Sequence, residues 1–305
     1  MYCIFCGQNL PINAKYCSLC GKKVFEPELA NGRNSLRSKD SAGKVSAAKV
    51  VIKLNEYFDE LHGENNSTLD RMKNSGFSND YEENKFVFEN SNAFLFGVIF
   101  DQMILAERAW GAPYKLYQRL GSQLDLERIA NMNEATLSGI LHQKPALHRF
   151  CNKIAGWLIE ASVILLEKYN GKAENIWIGN DLSASEVISC LLEFSGISQK
   201  KAHMAASILV RDFRIPLTDL EIIDVAYDRH IRRVFLRTGL TDFDTMDSVI
   251  SAGRKYSPEY PGKLDLPTWY VGRNWCHPKH PTCDDCRLRS YCPKLTNEAA
   301  DTKQE

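Results

Sequence analysis

The chain has 305 residues, a length typical of about two domains, and 44% of them are apolar, which is enough to bury a hydrophobic core. This composition excludes wholesale disorder and collagen-like or mucin-like repeats. The 38 basic and 38 acidic residues cancel, so any nucleic-acid binding must depend on a local basic patch.

The sequence lacks a long apolar stretch and a signal-peptide pattern, and both facts bear on where in the cell the protein is located. No apolar stretch reaches 18 residues, and residues 1–24 lack the basic and apolar segments of a signal peptide. We therefore expect no membrane span and a cytoplasmic location. In that reducing compartment, cysteines bind metals more often than they form disulfides.

Four of the ten cysteines lie near the start of the chain with the spacing C-x2-C-x10-C-x2-C and a glycine after each pair; they are Cys3, Cys6, Cys17 and Cys20. Two thiolates separated by two residues can bind one ion from a tight turn, and the glycines let backbone N–H groups approach the sulfur atoms. The segment resembles the short zinc ribbons of many bacterial and archaeal proteins. Disulfides or a rubredoxin-like iron site are the alternatives. We predict a structural zinc ribbon in residues 1–25, followed by a flexible linker in the polar residues 26–45.

Helical periodicity dominates the rest of the chain. Apolar residues recur at steps of three and four over residues 46–61, which predicts an amphipathic helix ended by Gly63. Residues 64–85 are polar and rich in turn formers. Further helices are predicted at residues 93–105, 114–120, 126–131, 134–143, 147–169, 184–194, 199–212 and 231–238. Outside the zinc ribbon, the protein is predicted to be all-α.

A helical hairpin is the most informative local prediction. Ser183 and Glu186 have the capping-box pattern, so a helix should begin at Ala184. A glycine-containing turn then leads into a second helix from Gln199, which predicts a hairpin over residues 184–212. Its turn N–H groups and the positive end of its second helix suit a phosphate. Helix packing without a function is the alternative.

A second group of four cysteines has the spacing C-x6-C-x2-C-x5-C; its members are Cys276, Cys283, Cys286 and Cys292. Four thiolates so close in sequence suit either zinc or a cubane iron–sulfur cluster, and spacing alone does not choose. The two remaining cysteines, Cys151 and Cys190, lie in apolar helical contexts and are predicted to be buried, inert thiols.

Three motifs, in this order, resemble the helix-hairpin-helix superfamily of DNA glycosylases, and endonuclease III and the adenine-mismatch glycosylases in particular. Residues 194–202 (FSGISQKKA) are similar to the hairpin signature LPGVGxKxA, and residues 227–234 (YDRHIRRV) are similar to VDTHxxRV. The late cysteine spacing matches the family's iron–sulfur motif. The resemblance therefore implies a [4Fe-4S] cluster, with a second zinc ribbon as the alternative.

The resemblance also implies the domain organisation. A six-helix barrel would occupy residues 93–215, and an iron–sulfur cluster domain would combine residues 46–92 and 216–293, with DNA in the cleft between them. Residues 294–305 are expected to form a disordered tail. Two departures from the family pattern stand out: Ser198 replaces the second hairpin glycine, and residues 214–220 look like an inserted loop.

The function implied is base-excision repair of a damaged or mismatched base in duplex DNA by a prokaryotic, nucleoid-associated monomer. Lys200 falls at the nucleophile position of the bifunctional members, and Asp228 falls at the essential carboxylate. The amine would attack C1′ and form a Schiff base that permits strand scission, while Asp228 would stabilise positive charge on the sugar. A solvated helix lysine and a helix N-cap are the ordinary alternatives for these residues. Lys201 is a second candidate lysine, although the register of Ala202 favours Lys200.

Other residues are expected to contact the DNA or the extruded base. Gln102 falls where the endonuclease III group has a glutamine that fills the gap left by the flipped base; a helix-surface polar residue is the alternative. The remaining predicted DNA contacts are Gly196, Ile197, Ser198, Arg229, Arg232 and Lys279. They belong to a wider basic set with Arg233, Arg237, His277 and His280. Candidates for the base pocket are Trp110, His142, Lys144 and Trp177.

Two other functions are compatible with the sequence. A monofunctional glycosylase would use water as the nucleophile, with Lys200 only binding DNA. A non-catalytic damage-binding adaptor would use its zinc ribbon to recruit partners. The sequence does not identify the excised base.

Overall fold

The computed structural model describes residues 47–295 of the chain. The predicted zinc ribbon with Cys3, Cys6, Cys17 and Cys20, the linker, and residues 296–305 of the predicted tail lie outside the described residues.

The described part of the chain is helical and contains no β-strand, as the sequence predicted. Its helices are α1 (Ala47–His62), α2 (Thr68–Asn74), α3 (Tyr81–Glu89), α4 (Ser91–Phe100), α5 (Ala106–Arg119), α6 (Leu126–Ala130), α7 (Glu134–His142), α8 (Cys151–Lys168), α9 (Ala184–Leu191), α10 (Gln199–Arg211), α11 (Arg229–Thr238), α12 (Met246–Tyr256) and α13 (Asp265–Asn274). Short 3-10 turns occur at Ala173–Ile176, Leu220–Ile222 and Pro261–Leu264. None of the helices between residues 47 and 295 is long and apolar enough to cross a bilayer.

The prediction of a turn-rich segment at residues 64–85 is wrong, because α2 and the first part of α3 lie there. Both helices begin with a side-chain cap. Ser67 and Asp70 form a reciprocal capping box, and the side chain of Asp80 accepts the N–H of Glu83. The buried apolar residues are sparse, Met72 in α2 and Val87 in α3, so the helical periodicity is weak there although the start signals are present.

The larger of two hydrophobic cores surrounds α4, in which every residue from Ala93 to Phe100 is buried. A helix that is apolar on all sides is stable only when other helices cover it, and α5 and α8 both pack against α4. Phe77 and Val87 also belong to this core, although the predicted domain boundary places residues 46–92 with the second domain.

The smaller core is built from α1, α11, α12 and α13, together with Leu288 from the cysteine-rich segment. Val50 and Leu54 bring the face of α1 into it, although α11 follows α1 by more than 160 residues. The chain passes from one core to the other at residues 223–225, since Ile223 packs in the larger core and Val225 in the smaller. Asp228 therefore lies just beyond the crossing point.

The predicted capping box at the start of α9 is confirmed: the side chain of Ser183 accepts the N–H of Glu186, whose carboxylate accepts the N–H of Ser183. The predicted inserted loop contacts the same start of α9. The N–H of Ala184 contacts the carbonyl oxygen of Thr218 at 3.0 Å and the carboxylate of Asp219 at 2.6 Å. This loop therefore stabilises the start of the hairpin.

Candidate functional site

The hairpin turn connects α9 to α10 and depends on a glycine. Gly196 has a φ of 86°, and a Cβ atom there would lie 2.4 Å from the ring of Trp157. Ser198 adopts extended backbone with a φ of −87° and precedes α10, so its side chain is accommodated where the family pattern has glycine. No side chain of the described residues caps this helix start. The side chain of Ile197 is buried and its N–H donates to Phe194, which leaves the start of α10 as the exposed part of the turn.

Lys200 lies in the first turn of α10, and its side chain is exposed. Asp228 is the N-cap of α11, where its Oδ1 accepts the N–H groups of His230 and Ile231 at 2.8 Å each. The alternative that Asp228 is a helix N-cap is therefore correct for its backbone contacts. Capping does not exclude a chemical role, because the second carboxylate oxygen stays available.

Lys200, at the start of α10, and Asp228, just beyond the crossing between the two cores, share two electrostatic neighbours. These are the carboxyl groups of Asp101, which is partly buried, and Asp265, which is buried. Burial raises the pKa of Asp101, Asp228 raises it further, and the cations of Lys201 and Lys200 oppose the shift. Burial likewise raises the pKa of Asp265 to about 7, and here too Asp228 raises it while Lys200 lowers it.

The sequence motifs did not link two residues of this site to each other. Asp101 belongs to none of the motifs, and Lys201 was predicted only as an alternative to Lys200. Lys201 is 5% exposed, and its Nζ donates to the carbonyl oxygens of Gly196 at 2.8 Å and Ile99 at 3.1 Å. Burial lowers the pKa of Lys201 to about 8, with Asp101 raising it and Lys200 lowering it. Asp101 lies about 100 residues before both lysines in the chain, so no local pattern could have linked them.

Gln102 lies in a loop, not on a helix surface, because α4 ends at Phe100 instead of continuing to residue 105. Its carbonyl oxygen contacts Nε2 of His148 at 3.0 Å, which ties the loop to the segment before α8. The loop exposes two apolar side chains, with Met103 69% and Leu105 61% exposed. Gln102 is thus adjacent to Asp101 and beside the junction of the two cores.

The basic run of α11 is less exposed than its helical spacing suggested. Arg232 forms an ion pair with Asp244, and its side chain is only 13% exposed. Arg233 is buried and donates to the carbonyl oxygens of Cys276 and Gly272. Arg229, in contrast, is exposed beside Asp228, and Lys279 is exposed in the cysteine-rich segment.

Of the candidates for a base pocket, the two tryptophans are core residues. Trp110 is 3% and Trp177 is 5% exposed, and both belong to the larger core. They are therefore too buried to stack on a base. His142 and Lys144 are exposed at the end of α7 and in the loop after it.

The four late cysteines line one cavity of about 330 Å³ between α11, α13 and the C-terminal part of the described chain. In a four-thiolate zinc site the sulfur atoms lie about 2.3 Å from the ion and leave no such space, whereas a cubane cluster needs room for several atoms. Within residues 47–295, no three histidine, cysteine or acidic side chains are grouped as ligands of a single ion. The donor set and the volume of the cavity fit an iron–sulfur cluster.

Hydrogen-bond donors already point at the sulfur atoms. The N–H of Leu288 lies 3.4 Å from Sγ of Cys286, and the guanidinium of Arg237 lies 3.5 Å from Sγ of Cys276. Burial raises the pKa of the Cys286 thiol to about 11, and the neighbouring thiols raise it further. Protein without metal therefore favours the neutral thiol, and binding of a metal group would release protons.

Comparison with known proteins identifies the fold. No model of a known protein family matches the chain. Endonuclease III of Thermotoga maritima is 29% identical over 136 residues, which cover 44% of this chain and 54% of that protein. The chain thus spans about half the length of this curated relative.

Solved structures cover more of the chain. A trapped endonuclease III–DNA covalent intermediate, an estranged-adenine complex, matches 82% of this chain and 96% of its own with a TM-score of 0.55 and 16% identity. A non-covalent endonuclease III–DNA complex matches 83% of this chain and 97% of its own, with a TM-score of 0.54 and 16% identity. A thermostable thymine-DNA glycosylase matches 81% and 96%, with a TM-score of 0.53 and 12% identity. The protein therefore has the fold of the endonuclease III-like DNA glycosylases.

Proposed function

We propose that the protein is a base-excision repair DNA glycosylase with associated lyase activity on abasic sites, and that its substrate is a damaged or mismatched base in duplex DNA. The observation that supports this proposal is that Lys200 and Asp228 share two electrostatic neighbours, the carboxyl groups of Asp101 and Asp265. They do so in a fold that is similar to solved endonuclease III–DNA complexes.

The chemistry follows from these residues. A base within a duplex is inaccessible, so the nucleotide must be extruded first, and Gln102 would fill the gap that it leaves. The neutral amine of Lys200 then attacks C1′ of the extruded sugar, and the bond to the base breaks with its electron pair leaving on the base. Asp228, with one oxygen fixed by two N–H groups, stabilises the positive charge that develops on the sugar. The resulting Schiff base permits strand scission by β-elimination.

DNA binding is proposed for the residues around this site. The uncapped start of α10 suits a phosphate because its first N–H groups have no side-chain partner among the described residues. Gly196, Ile197 and Ser198 shape the turn that presents them. Arg229 and Lys279 supply exposed positive charge, whereas Arg232 would have to leave Asp244 to reach a phosphate.

We further propose that Cys276, Cys283, Cys286 and Cys292 hold a [4Fe-4S] cluster. When bound, such a cluster would cross-link the end of α13 to the last described residues and so fix the loop that carries Lys279. The zinc ribbon at Cys3, Cys6, Cys17 and Cys20 and the cytoplasmic, monomeric state stay predictions.

The enzyme proposal is tested by borohydride trapping on duplex DNA with a single abasic site. We expect wild type to form a covalent adduct and Lys200→Ala to form none. Lys73→Ala, which removes an exposed lysine from α2, is the matched control and should trap like wild type. On duplex DNA that carries an altered base, release of that base without a trapped adduct would favour water as the nucleophile. Binding of damaged DNA with neither reaction would favour the adaptor function.

The lesion is identified by a panel of duplexes, each with one altered base. Oxidised pyrimidines, uracil or thymine opposite guanine, and alkylated purines are the classes to compare. The excised class is the one that yields free base with wild type and no free base with Asp228→Asn.

A further inference from the structure

We propose that His203 holds Asp228 in place relative to Lys200 by accepting the backbone N–H of Asp224. The inference rests on the proposed function, because it names a positioning residue for the same site. His203 belongs to none of the sequence motifs described above, since the segment that resembles the hairpin signature ends at Ala202.

The ring of His203 connects helix α10 to the segment that crosses between the two cores. Its Nδ1 accepts the N–H of Asp224 at 3.0 Å. A backbone N–H can only donate, so Nδ1 carries a lone pair and the ring proton lies on Nε2. Burial lowers the pKa of His203, the carboxylate of Asp224 opposes this shift, and the guanidinium of Arg254 adds to it. The ring is therefore neutral near pH 7, which is the form that the contact requires.

The short segment from Asp224 to Asp228 is fixed at alternate residues. The carboxylate of Asp224 binds the guanidinium of Arg254 in α12 through contacts of 2.6 and 2.7 Å. The N–H of Ala226 donates to Oδ1 of Asp265 at 3.0 Å, and Asp228 caps α11. A displacement at Asp224 would therefore be passed on to Asp228, because the residues between them cannot absorb it as a loose loop would.

The face of α10 that carries His203 also carries Lys200. Lys200, His203 and Ser207 recur at steps of three and four, so they lie on one face of the helix. The Oγ atom of Ser207 lies 2.9 Å from the hydroxyl of Tyr260, in the stretch before α13. Both contacts of this face are with residues that follow Ile223. The face is therefore turned towards the chain beyond the crossing point.

The contact thus connects the two residues to which the proposed reaction assigns chemical roles. On one side it joins the helix that carries Lys200, one turn away from His203. On the other side it joins the segment that ends at Asp228. Attack on C1′ depends on how the amine and the carboxylate are oriented on the same sugar, so a small displacement of either lowers the rate. Loss of the acceptor should slow the reaction without weakening the contacts to phosphate.

The test measures the initial rate of cyanoborohydride trapping on duplex DNA with one abasic site, at saturating DNA. This substrate already lacks its base, so the adduct should still form, more slowly, in Asp228→Asn. His203→Leu removes the acceptor, whereas His203→Asn keeps one, because an amide oxygen can accept the same N–H. Met204→Ala is the matched control, since it removes packing from the next residue of α10 on the side of the larger core.

We expect His203→Leu to trap roughly tenfold more slowly than wild type and to bind duplex with a tetrahydrofuran abasic analogue equally tightly. His203→Asn and Met204→Ala should stay within about twofold of the wild-type rate. In the Asp228→Asn background, His203→Leu should change the rate by less than about twofold, because no carboxylate is left to position. A residue that only supports the fold would lower the rate equally in both backgrounds.

Three results would overturn the role of His203. The first is a His203→Leu rate equal to that of wild type. The second is the same loss with and without the Asp228 carboxylate, together with a lower thermal unfolding midpoint, which would mean that His203 only supports the structure. The third is a His203→Asn rate as low as that of His203→Leu. Absence of any adduct with wild type is a different result, because it removes the proposed lyase activity itself and the role of His203 with it.

Discussion

The ammonium group of Lys201 lies 2.8 Å from the carbonyl oxygen of Gly196 in the hairpin turn. A second contact, 3.1 Å from the carbonyl oxygen of Ile99, extends from the same nitrogen to the last turn of α4. One buried side chain thus joins the turn that is proposed to bind phosphate to the end of α4, which Asp101 and Gln102 follow. This cation therefore holds together two segments that are far apart in the sequence.

Replacing Lys201 should destabilise the protein, whereas replacing its neighbour should not. Lys201→Met leaves the carbonyl oxygens of Ile99 and Gly196, one buried and one partly buried, without this donor. We therefore expect the free energy of unfolding to fall by about 1–3 kcal/mol. Lys200→Met is the matched control because Lys200 is exposed, and its effect should stay below about 0.5 kcal/mol. Urea unfolding followed by circular dichroism measures both. Equal losses in the two variants would contradict the structural role of Lys201.

Asp265 should make stability depend on pH. Its carboxylate accepts the N–H of Ala226, but burial raises its pKa from 3.8 to about 7. Between these values the folded protein binds a proton that the unfolded chain has released, so this group lowers stability as the pH rises from about 4 to about 7. Asp265→Asn should match wild type near pH 4 and become more stable than wild type by about pH 8. Unfolding free energies at several pH values provide the comparison, and a difference that stays constant with pH would refute the expectation.

Gly196→Ala should weaken the hairpin. The positive φ and the ring of Trp157 both oppose a Cβ atom, so a loss of about 2 kcal/mol or more is expected, together with weaker DNA binding. Gly139→Ala is the matched control, since Gly139 is exposed in α7 and a Cβ atom there meets nothing within 4 Å. Alanine in that helix should be neutral or stabilising by roughly 0.5–1 kcal/mol. Thermal unfolding and binding to abasic-analogue duplex distinguish the two variants.

Loss of one cavity cysteine should abolish binding of the proposed cluster. We expect purified wild type to be brown, with iron and acid-labile sulfide in equal amounts, and Cys286→Ala to lose both the visible absorption and the iron. Cys190→Ala removes a cysteine outside the cavity and should keep the cluster. Zinc in place of iron, in protein prepared without oxygen, would overturn the iron–sulfur assignment.

The features that depend on neighbouring residues were the best predicted from the sequence. The capping box at Ser183 and Glu186 was correctly predicted because all its atoms come from four consecutive residues. Helix α4 was predicted too long, since Met103, Ile104 and Leu105 continue its apolar pattern. Met103 instead has a φ of 54°, and the chain leaves the helix at Asp101. The helix α12 was missed because only Val249, Ala252 and Gly253 are buried in it, which leaves a sparse apolar pattern.

The site was only partly predictable. Motif positions predicted Lys200 and Asp228, which share two carboxyl groups as electrostatic neighbours, while their chemical roles stay proposals. Helical spacing suggested an exposed basic face on α11, but spacing does not say which face is turned inward. Arg233 is buried against the carbonyl oxygen of Cys276, a contact across 43 positions of sequence. Asp101 and Lys201 likewise become electrostatic neighbours only after the chain has folded.

The loop between α10 and α11 looked like an insertion, yet Thr218 and Asp219 bind the first residue of α9. This stretch joins Lys200 to Asp228 along the chain, so its attachment determines how freely the two can separate. Without these contacts the stretch could move more freely, and the two residues with it. In the proposed reaction, the attached loop would reduce the conformational entropy that is lost when DNA binds.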